Sequence, residues 1–144
     1  MNDAARTILD NNRYAVLATV TADGAPWAVP VRIAFDDTTL YWMSKVETVH
    51  SQNVTQDRRV SLVVFDSHQT SAPEGKGAVY IATVAQELVG EDAEKARDLY
   101  CTRHPDRADE KFSSWHMYSA PIGEVNEVKS HGTMVYFTSN GETA

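Results

Sequence analysis

Apolar residues along this chain alternate or run in short stretches broken by turn formers, the mark of strands more than of long helices. The stretch "YAVLATVTADGAPWAVPVRIAFDDTTLYWMS", Tyr14 to Ser44, reads as three strands. Its Asp23-Gly24 pair is a strong hairpin signal, and Asp36-Asp37 marks a second turn. Along Tyr14–Val20 both faces are apolar or small, with Val16, Ala18 and Val20 on one and Ala15, Leu17 and Thr19 on the other. A strand covered on both faces fits a barrel wall packed against another element or another subunit.

Farther along, "RVSLVVFD" reads as a fourth strand, "AVYIATVAQELV" as a long fifth, and "PIGEVNEVK" and "GTMVYFTS" as the last two. Ser67 to Gly77 is a loop by composition. Three segments are helical. Asn2 and Asp3 cap the first, with Ile8 and Leu9 on its buried side and Asn11 and Asn12 at its end. The second runs from about Thr48 to Gln56. The third, "GEDAEKARDLYCTRH", carries Ala93, Ala96, Leu99 and Tyr100 at helical spacing. Pro105 stops it and starts a further helical piece, "PDRADEKFSSW". The pattern predicts one mainly β domain over residues 1–144, a barrel of about six to seven antiparallel strands with peripheral helices.

Composition narrows function more than fold. Twenty acids against 13 bases give a net charge of −7, which argues against a nucleic-acid partner. A single cysteine, Cys101, rules out an intrachain disulfide, and its apolar helical face suits a small buried hydrophobe. "MNDAARTILDNNRY" lacks the apolar stretch of a secretory signal, and no run approaches the roughly 20 apolar residues of a membrane span. The expectation is a cytoplasmic protein with neither membrane nor nucleic acid as partner. Five histidines sit at no metal-ligand spacing, and no CxxC, HExxH, P-loop or GxSxG motif is present, so no metal is expected.

The start of the second helix is the main candidate for chemistry. A helix start offers unpaired N–H groups and a partial positive charge, enough to dock a phosphate with few side chains. Thr48 caps it, and its hydroxyl can also donate to a phosphate oxygen. His50, held protonated by an anion, adds a charged hydrogen bond. Lys45 and Arg32 offer further charge. The bland alternative is that Thr48 is only a cap and His50 a surface residue. Arg32, in "AVPVRIAF", is equally an edge-strand or interface arginine paired with an acid. Trp27 reads as packing. Tyr41 and Trp42 suit either a ring ligand or the core. Arg103, His104 and Arg107 in "RHPDR" read as a solvated helix end.

The order "AVLATVTADGAPWAVPV" then "LYWMSKVETVHSQNVTQDRRVSLVVF", behind a leading helix, resembles the pyridoxamine 5′-phosphate oxidase-like, FMN-binding split-barrel family. The likeness covers Tyr14 to Phe65 well, "ATVAQELVGEDAEKARDLYCTRHPD" more loosely, and nothing from Phe112 on. It implies a homodimer with flavin sites at the subunit interface. It implies that the FMN phosphate lies by Thr48, Val49 and His50, that the main chain of Pro30, Val31 and Arg32 runs along the flavin ring, and that Met43 and Ser44 lie beside it. It also implies that a later segment of the partner closes over the flavin, which makes Trp115 and His116, in "SSWHMYSAP", candidate lid residues. Val49 and Ala28 stand where the true oxidases carry bases, and each lost charged hydrogen bond forfeits about 1.5–3 kcal/mol of phosphate binding. Vitamin B6 oxidation is therefore not the expected activity. What the resemblance implies is a protein binding FMN, a related deazaflavin or nothing, acting as an oxidoreductase on a small molecule. The alternative is a non-catalytic flavin or haem carrier on the same fold, with His50 or His116 as haem ligand.

Overall fold

The computed structural model describes residues 1–69, 77–108, 115–131 and 134–139. Helix α1 (Asp3–Asn11) leads into β1 (Tyr14–Val20), β2 (Pro26–Phe35) and β3 (Thr39–Lys45). Then come α2 (Val49–Gln56), β4 (Arg59–Phe65), β5 (Ala78–Val84), β6 (Gln86–Glu87) and α3 (Gly90–Arg103). A 3-10 turn (Pro105–Arg107) precedes β7 (Trp115–Pro121), β8 (Glu124–Val125) and β9 (Met134–Thr138). The strands form one curled sheet in the order β6-β7-β3-β2-β1-β4-β5-β9-β8.

The alternating pattern of the first half folds as its residues dictate. Gly24, at φ 88°, makes the tight β1–β2 turn, and the two strands pair from Tyr14↔Arg32 to Val20↔Pro26. Ala15, Leu17 and Thr19 point into a core shared with Ile33, Leu40, Trp42, Leu62, Val64 and Ile81. One helix sits at each end of β1. Ala5 and Leu9 of α1 are fully buried in that core. At the other end Asn53 of α2 donates to the Thr19 hydroxyl at 2.9 Å, and Val54 is buried. The third helix covers the opposite sheet face, where Ala96 and Tyr100 pack on Ala34, Met43 and Met117.

Several expectations are corrected here. The described residues hold nine strands, though β6 and β8 have two residues each. The fifth strand is not continuous: it bends at Ala85, whose N–H donates to the Arg58 carbonyl while Arg58 Nε donates to the Ala85 carbonyl. Past that bend the chain leaves β4 and joins β7, which curls the sheet into a barrel. The sheet is mixed, because β9 lies parallel to β5 from Ala78↔Met134 to Ala82↔Thr138. Trp115 to Pro121 is a full strand, so "PIGEVNEVK" contributes only β8 beyond it. The outward residues of β1 are less covered than the pattern suggests, with Tyr14 51% and Val16 38% exposed. No helix among the described residues is long and apolar enough to cross a membrane. The continuation of the piece after Pro105 and most of the loop after Ser67 lie outside the described residues.

The "RHPDR" end of α3 is not a solvated terminus. Arg103 Nη2 donates to the carbonyls of Leu9 at 2.6 Å and Asn12 at 2.9 Å, tying α3 to the end of α1. His104 is 3% exposed and its Nε2–H donates to the Ile33 carbonyl at 2.7 Å. Burial pushes the His104 imidazole below its ordinary range, and Arg32 and Arg103 add to the effect. The folded chain therefore holds fewer protons at this site than the unfolded chain. Stability is full above the unfolded value near pH 6.5 and falls as pH drops through it toward the folded value, by at most about 1.4 kcal/mol per pH unit. Urea midpoints between pH 7.5 and 5 should fall for the wild type and flatten in His104→Gln. Parallel slopes would remove His104 as the cause.

Candidate functional site

The barrel wall parts between β2 and β3. Beginning at Pro26, β2 pairs with β1 along its length, yet it pairs with β3 only at Ile33↔Trp42, Ala34↔Tyr41 and Phe35↔Leu40. On the other side, β3 pairs with β7 through Lys45↔Trp115. Residues 30–32 of β2 and 43–45 of β3 thus continue past the ladder with no pairing between them, which leaves a split. Backbone groups at such an edge are left to bind something else.

Pro30, Val31 and Arg32 form one lip, with Pro30 exposed, Val31 buried and the Arg32 side chain 19% exposed. Ser44 lies on the other lip and meets the tip of α2: its Oγ is 2.9 Å from His50 Nε2. The α2 start is built as the sequence indicates. The Thr48 hydroxyl accepts from the Ser51 amide at 3.3 Å and donates to the Lys45 carbonyl at 2.9 Å. That proton is therefore engaged locally. The amides of Val49 and His50 have no acceptor among the described residues, and Val49 is 45% exposed, so the tip is open. Burial pushes the His50 imidazole below its ordinary range, so charge on this ring has to be induced by an anion.

Met43 does not join Ser44. Alternation along β3 turns it to the other face, 6% exposed against Tyr100 and Met117 under α3. Trp42 belongs to the core and stacks on Tyr118 at 6.1 Å. Trp115 and His116, the candidate lid residues, begin β7, opposite Lys45 and Ser44 of the same chain. The Lys45 ammonium and the Arg107 guanidinium each lie over the Trp115 ring, 5.4 Å from its centroid. His116 shares the face of Ser44, and its Nδ1 is 3.3 Å from Glu87 Oε1.

Glu87 and Ser51 went unnoticed in the sequence. The Tyr118 phenol donates to Glu87 at 3.4 Å and bonds the Ser51 hydroxyl, and burial raises its pKa. The result is a half-buried polar row, Glu87, His116, Ser44 and His50, along the wall beside the split. A separate cavity of about 430 Å³, lined by Tyr41, Arg58, Lys95 and Leu99 among others, opens beneath α3 and shares none of these residues.

The residues present fit a flavin only in part. The open strand edges suit a planar ring that hydrogen-bonds to backbone, and the α2 tip suits a phosphate. Ala28 and Val49 bring no charge to it.

Residues 1–126 match the family model described as pyridoxamine 5′-phosphate oxidase. No curated protein matches the sequence. Among solved structures, a heme binding protein from Mycobacterium smegmatis is 23% identical with a TM-score of 0.73, covering 84% of this chain and 50% of that one. This chain thus spans half the length of that relative. A FAD-binding protein from Mesorhizobium loti is 22% identical with a TM-score of 0.65, covering 86% and 91%. An F420 reductase is 16% identical with a TM-score of 0.67, covering 86% and 97%. These likenesses share the fold.

Proposed function

The chain belongs to the pyridoxamine 5′-phosphate oxidase family, and from that premise we propose that it is a homodimeric flavin-binding protein acting in redox chemistry on a small molecule. The observation that carries this reading is the split: the unladdered edges of β2 and β3 lie beside an α2 tip whose Val49 and His50 amides meet no acceptor among the described residues. When bound, the flavin supplies the electron or hydride transfer. The chain's own share is to align the ring along Pro30, Val31 and Arg32, hold the phosphate at Val49 and His50 on the helix start that Thr48 caps, and keep Ser44 and His116 beside it. FMN and a deazaflavin both suit such a site. The missing bases at Ala28 and Val49 disfavour a pyridoxamine phosphate oxidase activity.

The proposed partner is a second copy. The outward face of the β2–β1–β4 sheet carries apolar residues, with Tyr14, Val16 and Phe65 exposed by 51%, 38% and 43%. It adjoins the split, so a copy docked there brings its own residues to the ligand. Replacing both Thr48 and His50 by Ala should weaken FMN by about 1–3 kcal/mol in a fluorescence titration, while riboflavin changes less. Superimposable curves for FMN would remove the α2 tip from the site.

Haem in the same split is a second reading, favoured by one contact. With Nδ1–H held by Glu87, the Nε2 of His116 is left to coordinate iron, the usual arrangement of an oriented histidine ligand. A Soret band on adding haem that is lost in His116→Ala supports it. A flavin absorption spectrum in protein purified from its own host speaks for the first reading.

A further inference from the structure

Arg32 is the last residue of β2 before the ladder to β3 begins at Ile33, so it stands at the apex of the split. Its guanidinium is engaged at two nitrogens, only one of them on a carboxylate. Nη1 meets both Asp106 oxygens, at 3.0 and 2.8 Å, and Nε donates to the Tyr14 phenol at 3.4 Å. Nη2 has no acceptor among the described residues. The two-nitrogen fork that grips a carboxylate or phosphate is thus left unused. The Asp106 side chain is 64% exposed, and ion pairs of that kind are weak and easily exchanged. The surroundings favour a second anion. Lys45 and Arg107 both stack on Trp115 close by, although the whole chain carries −7.

We propose that Arg32 anchors an oxyanion at the apex of the split, and that Asp106 is the internal carboxylate which the ligand's anionic group displaces. The ligand is a small molecule bearing a phosphate or carboxylate. The inference rests on the proposed ligand site in the split, but its first test needs no flavin. Asp106→Asn removes the competitor at an exposed position without touching the core. Inorganic phosphate, titrated by thermal shift, should bind Asp106→Asn about 10-fold more tightly than wild type, and the gain should vanish in Arg32→Gln/Asp106→Asn. Equal phosphate affinity in wild type and Asp106→Asn overturns the proposal, as does a gain that survives loss of Arg32. The second test identifies the oxyanion's source. Tighter FMN with unchanged riboflavin in Asp106→Asn assigns the site to the cofactor phosphate. Unchanged FMN and riboflavin, with the phosphate gain intact, assign it to a second ligand. Should no form of the protein bind a flavin, the proposed function fails, while the phosphate comparison still decides the role of Arg32.

Discussion

Val16→Glu is expected to turn the proposed dimer into a monomer and to abolish flavin binding with it. Val16 lies mid-strand on the outward face of β1, opposite Pro30 of β2 and Val63 of β4. It is 38% exposed, and its neighbours on that face, Tyr14 and Phe65, are more so. Burying a carboxylate in an apolar contact without a partner costs several kcal/mol. A two-fold interface imposes that cost twice. The dimer dissociation constant should therefore rise by at least about 100-fold, some 2.7 kcal/mol. Because the side chain points away from the core, the circular dichroism spectrum and melting of the monomer should stay native. Light scattering after size exclusion measures the first effect and an FMN titration the second. A variant that remains dimeric, or a wild type that is monomeric at micromolar concentration, would discard the interface. A monomer that keeps full FMN affinity would discard its role in the site.

Gly123→Ala should be the most damaging single methyl in the described chain. Gly123 has φ 81°, and a Cβ there would lie 2.1 Å from the Thr138 carbonyl oxygen and 2.6 Å from its carbon. The obstacle is backbone of β9, which cannot rotate away. Gly24 supplies the control: it has φ 88° but nothing within 4 Å of a Cβ. Its alanine variant meets only backbone strain, about 1 kcal/mol. At Gly123 strain and collision add, and a loss of about 3 kcal/mol or more is expected. For a domain of this length that lowers Tm by roughly 10 °C. Similar melting temperatures for the two variants would show that β9 yields at little cost.

The parts of the fold and site that were legible in the sequence rest on short-range chemistry. Asp23-Gly24 forms its turn from four consecutive residues, with the Gly24 amide bonded to the Thr21 carbonyl at 2.9 Å. Thr48 caps α2 through an amide three residues away. What escaped the sequence depends on partners far along the chain. His104 finds the Ile33 carbonyl 71 residues away, and Arg103 finds Leu9 at a separation of 94. Nothing next to "RHPDR" records that burial, so charge made it look exposed. Glu87 sits beside His116 only because the fifth strand breaks at Ala85 and changes partner. An apolar run carries no mark of such a switch. Met43 and Ser44 both fall on the family's ring-side strand by resemblance, yet the two-residue period of a strand sends neighbours to opposite faces.

The parallel seating of β9 on β5 has a consequence for a ribosome making this protein. Ala78 to Ala82 gain their second hydrogen-bonded neighbour only when residues 134–138 arrive. At ordinary elongation speeds of about 5–20 residues per second that wait lasts several seconds. Throughout it a nascent chain offers a bare apolar ribbon, Val79, Tyr80 and Ile81 among its residues, to any other strand in reach. Stalling or truncation before residue 134 should therefore yield aggregates sooner than a soluble fragment.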